Sequence, residues 1–177
     1  MRKFPALLLS MGLIAASGGA VADDMHKSDA SVTASVKSAL ISNDETKARH
    51  INVETQDGVV QLSGFVDSTA ARAAAEQAAM NVEGVKRVEN ELLIRDANRS
   101  TGQAVDDTVI AAKLKGELAG KSGLKTATDV NVEVNSGVVE LSGFVGTADE
   151  KDRAGEIARN INGVKDVHNN IALKPKG

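Results

Sequence analysis

Gly58–Val66 reads GVVQLSGFV, and Gly137–Val145 reads GVVELSGFV. The chain carries nearly the same nine residues twice. The match spreads outward from this phrase: Asn52–Ile94 aligns with Asn131–Leu173 without a gap and shares 19 of 43 positions. Upstream, allowing one residue of slack, Val32, Val36 and Leu40 fall against Ile110, Leu114 and Leu118. Two copies of this length make two small domains rather than an array of stacked repeats.

Each copy carries the same local signals. Val32, Val36 and Leu40 are spaced four apart, as are Ile110, Leu114 and Leu118, so each trio lies on one helix face. Asp29 and Asp107 stand where they could cap those helices. Ile51, Val53 and Thr55 alternate with polar residues, and so do Val130, Val132 and Val134, which predicts a strand. Asp57-Gly58 and Ser136-Gly137 supply a tight turn with a residue free to take positive φ. The repeated phrase is the second strand. Its even face reads Val60, Leu62, Gly64, Val66 and its odd face reads Val59, Gln61, Ser63, Phe65.

Ser68 and Thr147 are the expected N-caps of a second helix, and Thr147 with Glu150 makes a capping box. Ala75, Ala78, Ala79 and Val82, matched by Ala154, Ile157, Ala158 and Ile161, form its buried stripe. Gly84 and Gly163 are read as its C-terminal stops. A last strand sets Val88, Asn90, Leu92 and Ile94 on one side, matched by Val167, Asn169, Ile171 and Leu173. The order αββαβ predicts an α+β fold: two tandem domains, each a mixed three-stranded sheet with two helices on one face. The expected boundaries are 28–95 and 106–174, joined by a polar linker at 96–105.

Glycine inside a strand marks a bulge or a close approach. Gly64 and Gly143 lie on the same face as the core valines of their copies, opposite the Ala-rich helix. Close helix–sheet packing is the expected reason for them, with a ligand-lining role as the alternative. Phe65 and Phe144 lie by alternation on the face the helices leave uncovered. Three explanations compete: the domains pack on each other there, a lipid or protein partner covers the rings, or a bulge turns them inward.

The first 22 residues have the pattern of an export signal. Arg2 and Lys3 precede a short apolar run, and Ala20-Val21-Ala22 fits a small-x-small cleavage site before Asp23. The run is too short to span a bilayer comfortably. The sequence holds no Cys, so no lipidated cysteine follows the signal and no disulfide can form. Removal of the signal leaves 19 basic against 24 acidic residues, a net charge of −5. That balance, with Phe4, Phe65 and Phe144 the only aromatic residues, argues against a nucleic-acid partner, which would call for basic patches and stacking rings.

The phrases GVVQLSGFVDS…VEGVKRVENEL and GVVELSGFVGT…INGVKDVHNNI resemble two BON domains, the bacterial OsmY and nodulation module. The whole plan is similar to osmotically inducible periplasmic proteins of Gram-negative bacteria. The resemblance implies an αββαβ fold and non-enzymatic binding of phospholipid membrane surfaces or other envelope components. It also implies a periplasmic location and induction by osmotic stress. A periplasmic protein-interaction or chaperone-like role is the alternative. The family supplies no ligand-residue set to carry onto this chain.

The residues themselves point away from catalysis. There is no Cys nucleophile and no G-x-S-x-G. His26, His50 and His168 lack metal-ligand neighbours, so neither a metal nor a cofactor is expected. Asp23-Asp24 and Asp106-Asp107 sit near helix starts, where the dipole stabilises negative charge. A basic membrane-binding helix would need clustered cations beside large apolar residues. Lys151, Arg153 and Arg159 alternate with Glu150, Asp152 and Glu156, which reads as a solvated face. Phe65 and Phe144, with Lys151, Arg153 and Arg159, are the candidate interaction surface. Gly58, Gly64, Gly84, Gly137, Gly143 and Gly163 are the candidate structural glycines.

Overall fold

The computed structural model describes residues 27–46, 50–98, 100–121 and 129–174. Expectations that fall on 1–26, the export signal with Ala20, Ala22 and Asp23 among them, lie outside the described residues. In the first copy the order is α1 (Asp29–Ile41), β1 (Ile51–Gln56), β2 (Val59–Val66), α2 (Thr69–Met80), β3 (Arg87–Asn90) and β4 (Leu93–Ile94). The second copy repeats it as α3 (Thr101–Lys121), β5 (Val130–Asn135), β6 (Val138–Val145), α4 (Ala148–Arg159), β7 (Asp166–Asn169) and β8 (Ala172–Leu173).

β1 and β2 pair antiparallel across the turn, and β3 and β4 both pair parallel with β2. The second copy matches this register residue for residue. The expected third strand therefore runs in two pieces, interrupted at Glu91–Leu92. The turn residues Asp57 and Gly58 both take positive φ, 53° and 79°, as a two-residue hairpin requires.

Each copy builds its own core on the helix side of its sheet. Val32, Val36 and Leu40 of α1 meet Val60, Leu62 and Val66 of β2 and the alanines of α2. Ile110, Leu114 and Leu118 repeat this in the second copy. Burying each branched side chain contributes about 1.5–3 kcal/mol. Leu92 joins the core at 1% exposure, but Ile94 and Leu173 are 45% and 48% exposed. The interruption of the strand before β4 ends the simple alternation expected for it.

Four local expectations are corrected. Ser28, not Asp29, is the N-cap of α1, with its hydroxyl accepting from Ser31 N. Asp29 instead accepts from the backbone N–H of Asp57 and Gly58 at 2.8 and 2.9 Å. Asp107 does the same for Ser136 and Gly137, both at 2.8 Å. Each aspartate thus secures a hairpin turn against the first helix, satisfying N–H groups that the turn leaves unpaired.

The second correction concerns the linker, which is shorter than expected because α3 starts at Thr101. Ser100 and Gln103 bond reciprocally, side chain to backbone, at 3.2 and 2.8 Å, a capping box that draws polar residues into a helix.

Gly84 and Gly163 do not stop the second helices, which end at the C-caps Asn81 and Asn160. They lie farther on, with φ of 94° and 99°, where a Cβ would meet Val32 and Ile110 at 2.9 and 3.0 Å. Finally, Gly64 and Gly143 are not shaped by the Ala-rich helices. Their φ values are 114° and 116°, and a Cβ on either would stand 2.0 Å from a backbone carbonyl, of His50 or Asp129. The close approach is real, but its partner is the chain entering the first strand of the same copy.

Candidate functional site

The helices of each copy cover one face of its sheet, that of Val60 and Leu62 in the first copy and of Val139 and Leu141 in the second, so the opposite faces are left to find another partner. They find each other. Gln61, Ser63, Glu140 and Ser142 are 1–2% exposed, and all four lie between the two copies. The Ser63 and Ser142 hydroxyls are 2.6 Å apart. Around that pair the contacts come in equivalent sets. Gln61 Oε1 accepts from Gly143 N at 2.7 Å, and Glu140 Oε2 accepts from Gly64 N at 2.7 Å. Asn52 Nδ2 donates to Glu133 at 3.2 Å, and Asn131 Nδ2 donates to Glu54 at 3.0 Å. Residue i of one copy meets residue j of the other and the reverse, the rule of a two-fold dimer written within one chain.

Phe65 and Phe144 flank this polar centre. They are 6% and 7% exposed and belong to neither hydrophobic core. Phe65 lines a cleft of about 370 Å³ with Leu93 of its own copy and Val138, Lys165 and His168 of the other. Phe144 lines one of about 270 Å³ with Glu54 and Gln56 of the first copy and Asp129 and Lys174 of its own. Of the three explanations for the rings, packing between the domains is the one the fold adopts.

Symmetry fails at two neighbouring positions. Gln61 is neutral; its equivalent, Glu140, is an acid. Gln61 Nε2 donates to the backbone O of Asn170 at 2.6 Å, whereas Glu140 Oε1 accepts from the Asn170 side-chain Nδ2 at 3.4 Å; the residue equivalent to Asn170 in the first copy is Glu91. Burial pushes the Glu140 carboxyl up to about 8; the bonds from Gly64 N and Asn170 Nδ2 oppose the rise, and the charges of Glu91 and Glu133 add to it.

The basic candidates lie elsewhere. Arg153 and Arg159 are exposed and Lys151 is half-buried on α4, in the helix layer, on the opposite side of the sheet from Phe144. The structure does not bring the rings and the cations together. Lys151 serves locally, its carbonyl accepting from Asn169 Nδ2 at 2.8 Å. His168 is 43% exposed, 3.4 Å from Asp166. Among the described residues, no group of three or more His, Cys, Asp or Glu is placed to hold a metal ion.

Sequence reasoning missed a different surface. Val105 and Val109 of α3 are 60% and 46% exposed. They stand one turn apart, with Lys113 on the next turn. Val109 and Lys113 border an open cleft of about 270 Å³ closed on its far side by Asn162 and Gly163. The linker reading hid this ridge, because a segment taken for loop is not searched for helical spacing.

The family model for the BON domain matches residues 28–96 and 106–175. The chain belongs to the BON domain family. Its curated relatives include the osmotically inducible protein Y of Escherichia coli (strain K12), 39% identical over 82% of this chain and 73% of that protein. A 21 kDa hemolysin of Actinobacillus pleuropneumoniae is 36% identical over 66% of this chain and 59% of its own length. The outer membrane lipoprotein DolP of Haemophilus influenzae is 32% identical over 44% of this chain and 40% of that protein. Among the described residues no helix is long and apolar enough to cross a membrane.

Proposed function

We propose that this BON protein is a non-enzymatic component of the periplasm that responds to osmotic or envelope stress by binding phospholipid surfaces. Export of the chain with cleavage before Asp23 and without lipidation belongs to the same proposal. Its kinship with an osmotically inducible protein and with an outer membrane lipoprotein supports the setting.

The observation that carries the lipid contact is the α3 ridge. Val105 and Val109 expose apolar surface beside Lys113, the pairing an interfacial helix uses: apolar groups enter the acyl boundary while a cation meets the headgroups. At the equivalent places the first copy has Lys27 and Ser31, so the second copy is the lipid-facing one. The overall negative charge makes this a local contact rather than a steered one.

Co-sedimentation with vesicles tests the reading. The full chain is expected to pellet with vesicles containing anionic phospholipid and less with neutral ones. The Val105→Ser/Val109→Ser variant should lose at least about fivefold in binding while its urea midpoint holds, since both side chains are already in water. A chain that pellets with neither vesicle overturns the lipid reading in favour of a periplasmic protein-interaction or chaperone-like role.

A further inference from the structure

We propose that Glu140 is a proton-dependent clasp between the two BON domains: protonated, its carboxyl lets the helix-free faces of the two sheets close on each other, and ionised, it loosens them and uncovers Phe65 and Phe144. The geometry comes first. Glu140 is 1% exposed at the centre of the contact between copies. Its pseudo-symmetric partner Gln61 shows what that position accommodates, a neutral group that accepts from a glycine N–H and donates to a carbonyl. A protonated carboxyl is the nearest acid equivalent of that amide, with one acceptor and one donor oxygen. An ionised carboxylate can only accept.

Beyond the bonds from Gly64 N at 2.7 Å and Asn170 Nδ2 at 3.4 Å, which burial outweighs, the surroundings offer the ionised form little relief. Across the sheet Glu140 is in register with Glu133 on β5 and His168 on β7. The opposing sheet presents Glu54 on β1, in register with Gln61, and Glu89 on β3. Glu91 follows β3 and acts on Glu140 by charge, as Glu133 does. Glu54 and Glu133 are each bonded to an asparagine of the other copy. The nearby cations are engaged elsewhere: Arg87 with Glu89 at 2.6 Å, Lys174 with Asp129 at 2.8 Å, and Lys165 with Ser136 O at 2.8 Å. His168 lies 3.4 Å from Asp166.

The direction of the pH response follows. Undocked, Glu140 would lie on an open sheet face and titrate near its ordinary value of 4.5; docked, it titrates near 8. The docked state therefore holds an extra proton between these values. Docking is strongest below about 4.5, weakens as pH rises, by up to about tenfold per unit, and levels off above about 8. Two ordinary β-sheet faces would show no such window. The device acts through the relation between domains and does not depend on which ligand the protein binds.

The chain has no cysteine, so a Met80→Cys/Arg159→Cys pair accepts spin labels at two exposed sites, one per copy. Inter-label distances and urea midpoints are measured from pH 5 to 9. The expected result is a narrow distance distribution at pH 5 that broadens towards pH 9, with a falling midpoint. Glu140→Gln, which puts the same amide at both pseudo-equivalent positions, should keep the distribution narrow throughout and flatten the fall in midpoint. Gln61→Glu should steepen it. A labelled parent whose distances do not change from pH 5 to 9, or a Glu140→Gln variant that loosens as steeply as the parent, overturns the proposal.

Discussion

In the first copy Lys27 and Glu83 form an ion pair of 2.7 Å beside Gly84. In the second, the same positions are Val105 and Asn162, and a cleft stands open there. At the contact between copies the pairing is Gln61 against Glu140. Yet the cores, turns and strand registers of the two copies coincide almost residue for residue. Duplication kept the positions whose neighbours are the copy's own backbone and most of those that meet across the interface, and let outward-facing positions and the Gln61/Glu140 pair diverge. The comparison separates what the fold requires from what each copy does with it.

The sharpest test of shared requirement is the strand glycine. Gly64→Ala and Gly143→Ala should each destabilise the chain by at least about 2 kcal/mol, through a φ that L residues avoid and a Cβ driven against a carbonyl. Because His50 O and Asp129 O are equally close, urea melts should show similar losses; a variant with an unchanged midpoint would show that its copy tolerates what the other does not.

Separating the copies is the next largest perturbation. Each has a core of its own, so residues 101–177 should fold alone, only marginally, as a domain this small buries little surface. A dispersed amide NMR spectrum with Phe144 more than half exposed is the expected result. Collapsed peaks would mean that the two copies need each other to fold.

Truncation at the interface should then set the copies apart. Gln61→Ala leaves the Gly143 N–H and the Asn170 carbonyl without their partners and should cost about 1–3 kcal/mol at pH 7. Glu140→Ala leaves Gly64 N unpaired but also removes an acid whose ionised form is costly to bury, so its loss at pH 7 should be smaller. Equal midpoints would mean that the Gln/Glu difference carries no energy.

The smallest effect belongs to the surface. Glu83→Ala breaks an exposed ion pair and should leave the urea midpoint within experimental error, as isolated surface pairs contribute little. The hydrogen bond and charge of Lys27 hold the Glu83 carboxyl below its ordinary value, so the loss of that depression, by NMR titration, is the measurement expected to respond in a Lys27→Ala variant.

The helices, the hairpin, the capping box at Thr147 and Glu150, and the existence of two αββαβ copies were legible in the sequence. Each rests on periodicity or on interactions between residues a few positions apart. The Ser100–Gln103 capping box was equally local but was passed over, because the segment lacks an apolar period. The glycines at 64 and 143 announced a close approach, yet their partners lie in the loops before β1 and β5, at separations that no local pattern encodes. Asp29 and Asp107 looked like helix caps, since helix starts favour acids; only the folded chain brings the turn N–H groups within reach.

For the candidate site the division is similar. The sequence alone determined that Gln61, Ser63 and Phe65 share a face with no helix over it, and that Glu140, Ser142 and Phe144 share the equivalent one. Alternation along a strand guarantees that much. That the two faces close on each other, burying a glutamate opposite a glutamine, was decided by tertiary structure. Burial and the field of Glu91 and Glu133 are sums over atoms distant in the chain, and they turn an ordinary surface acid into one that holds its proton near neutrality.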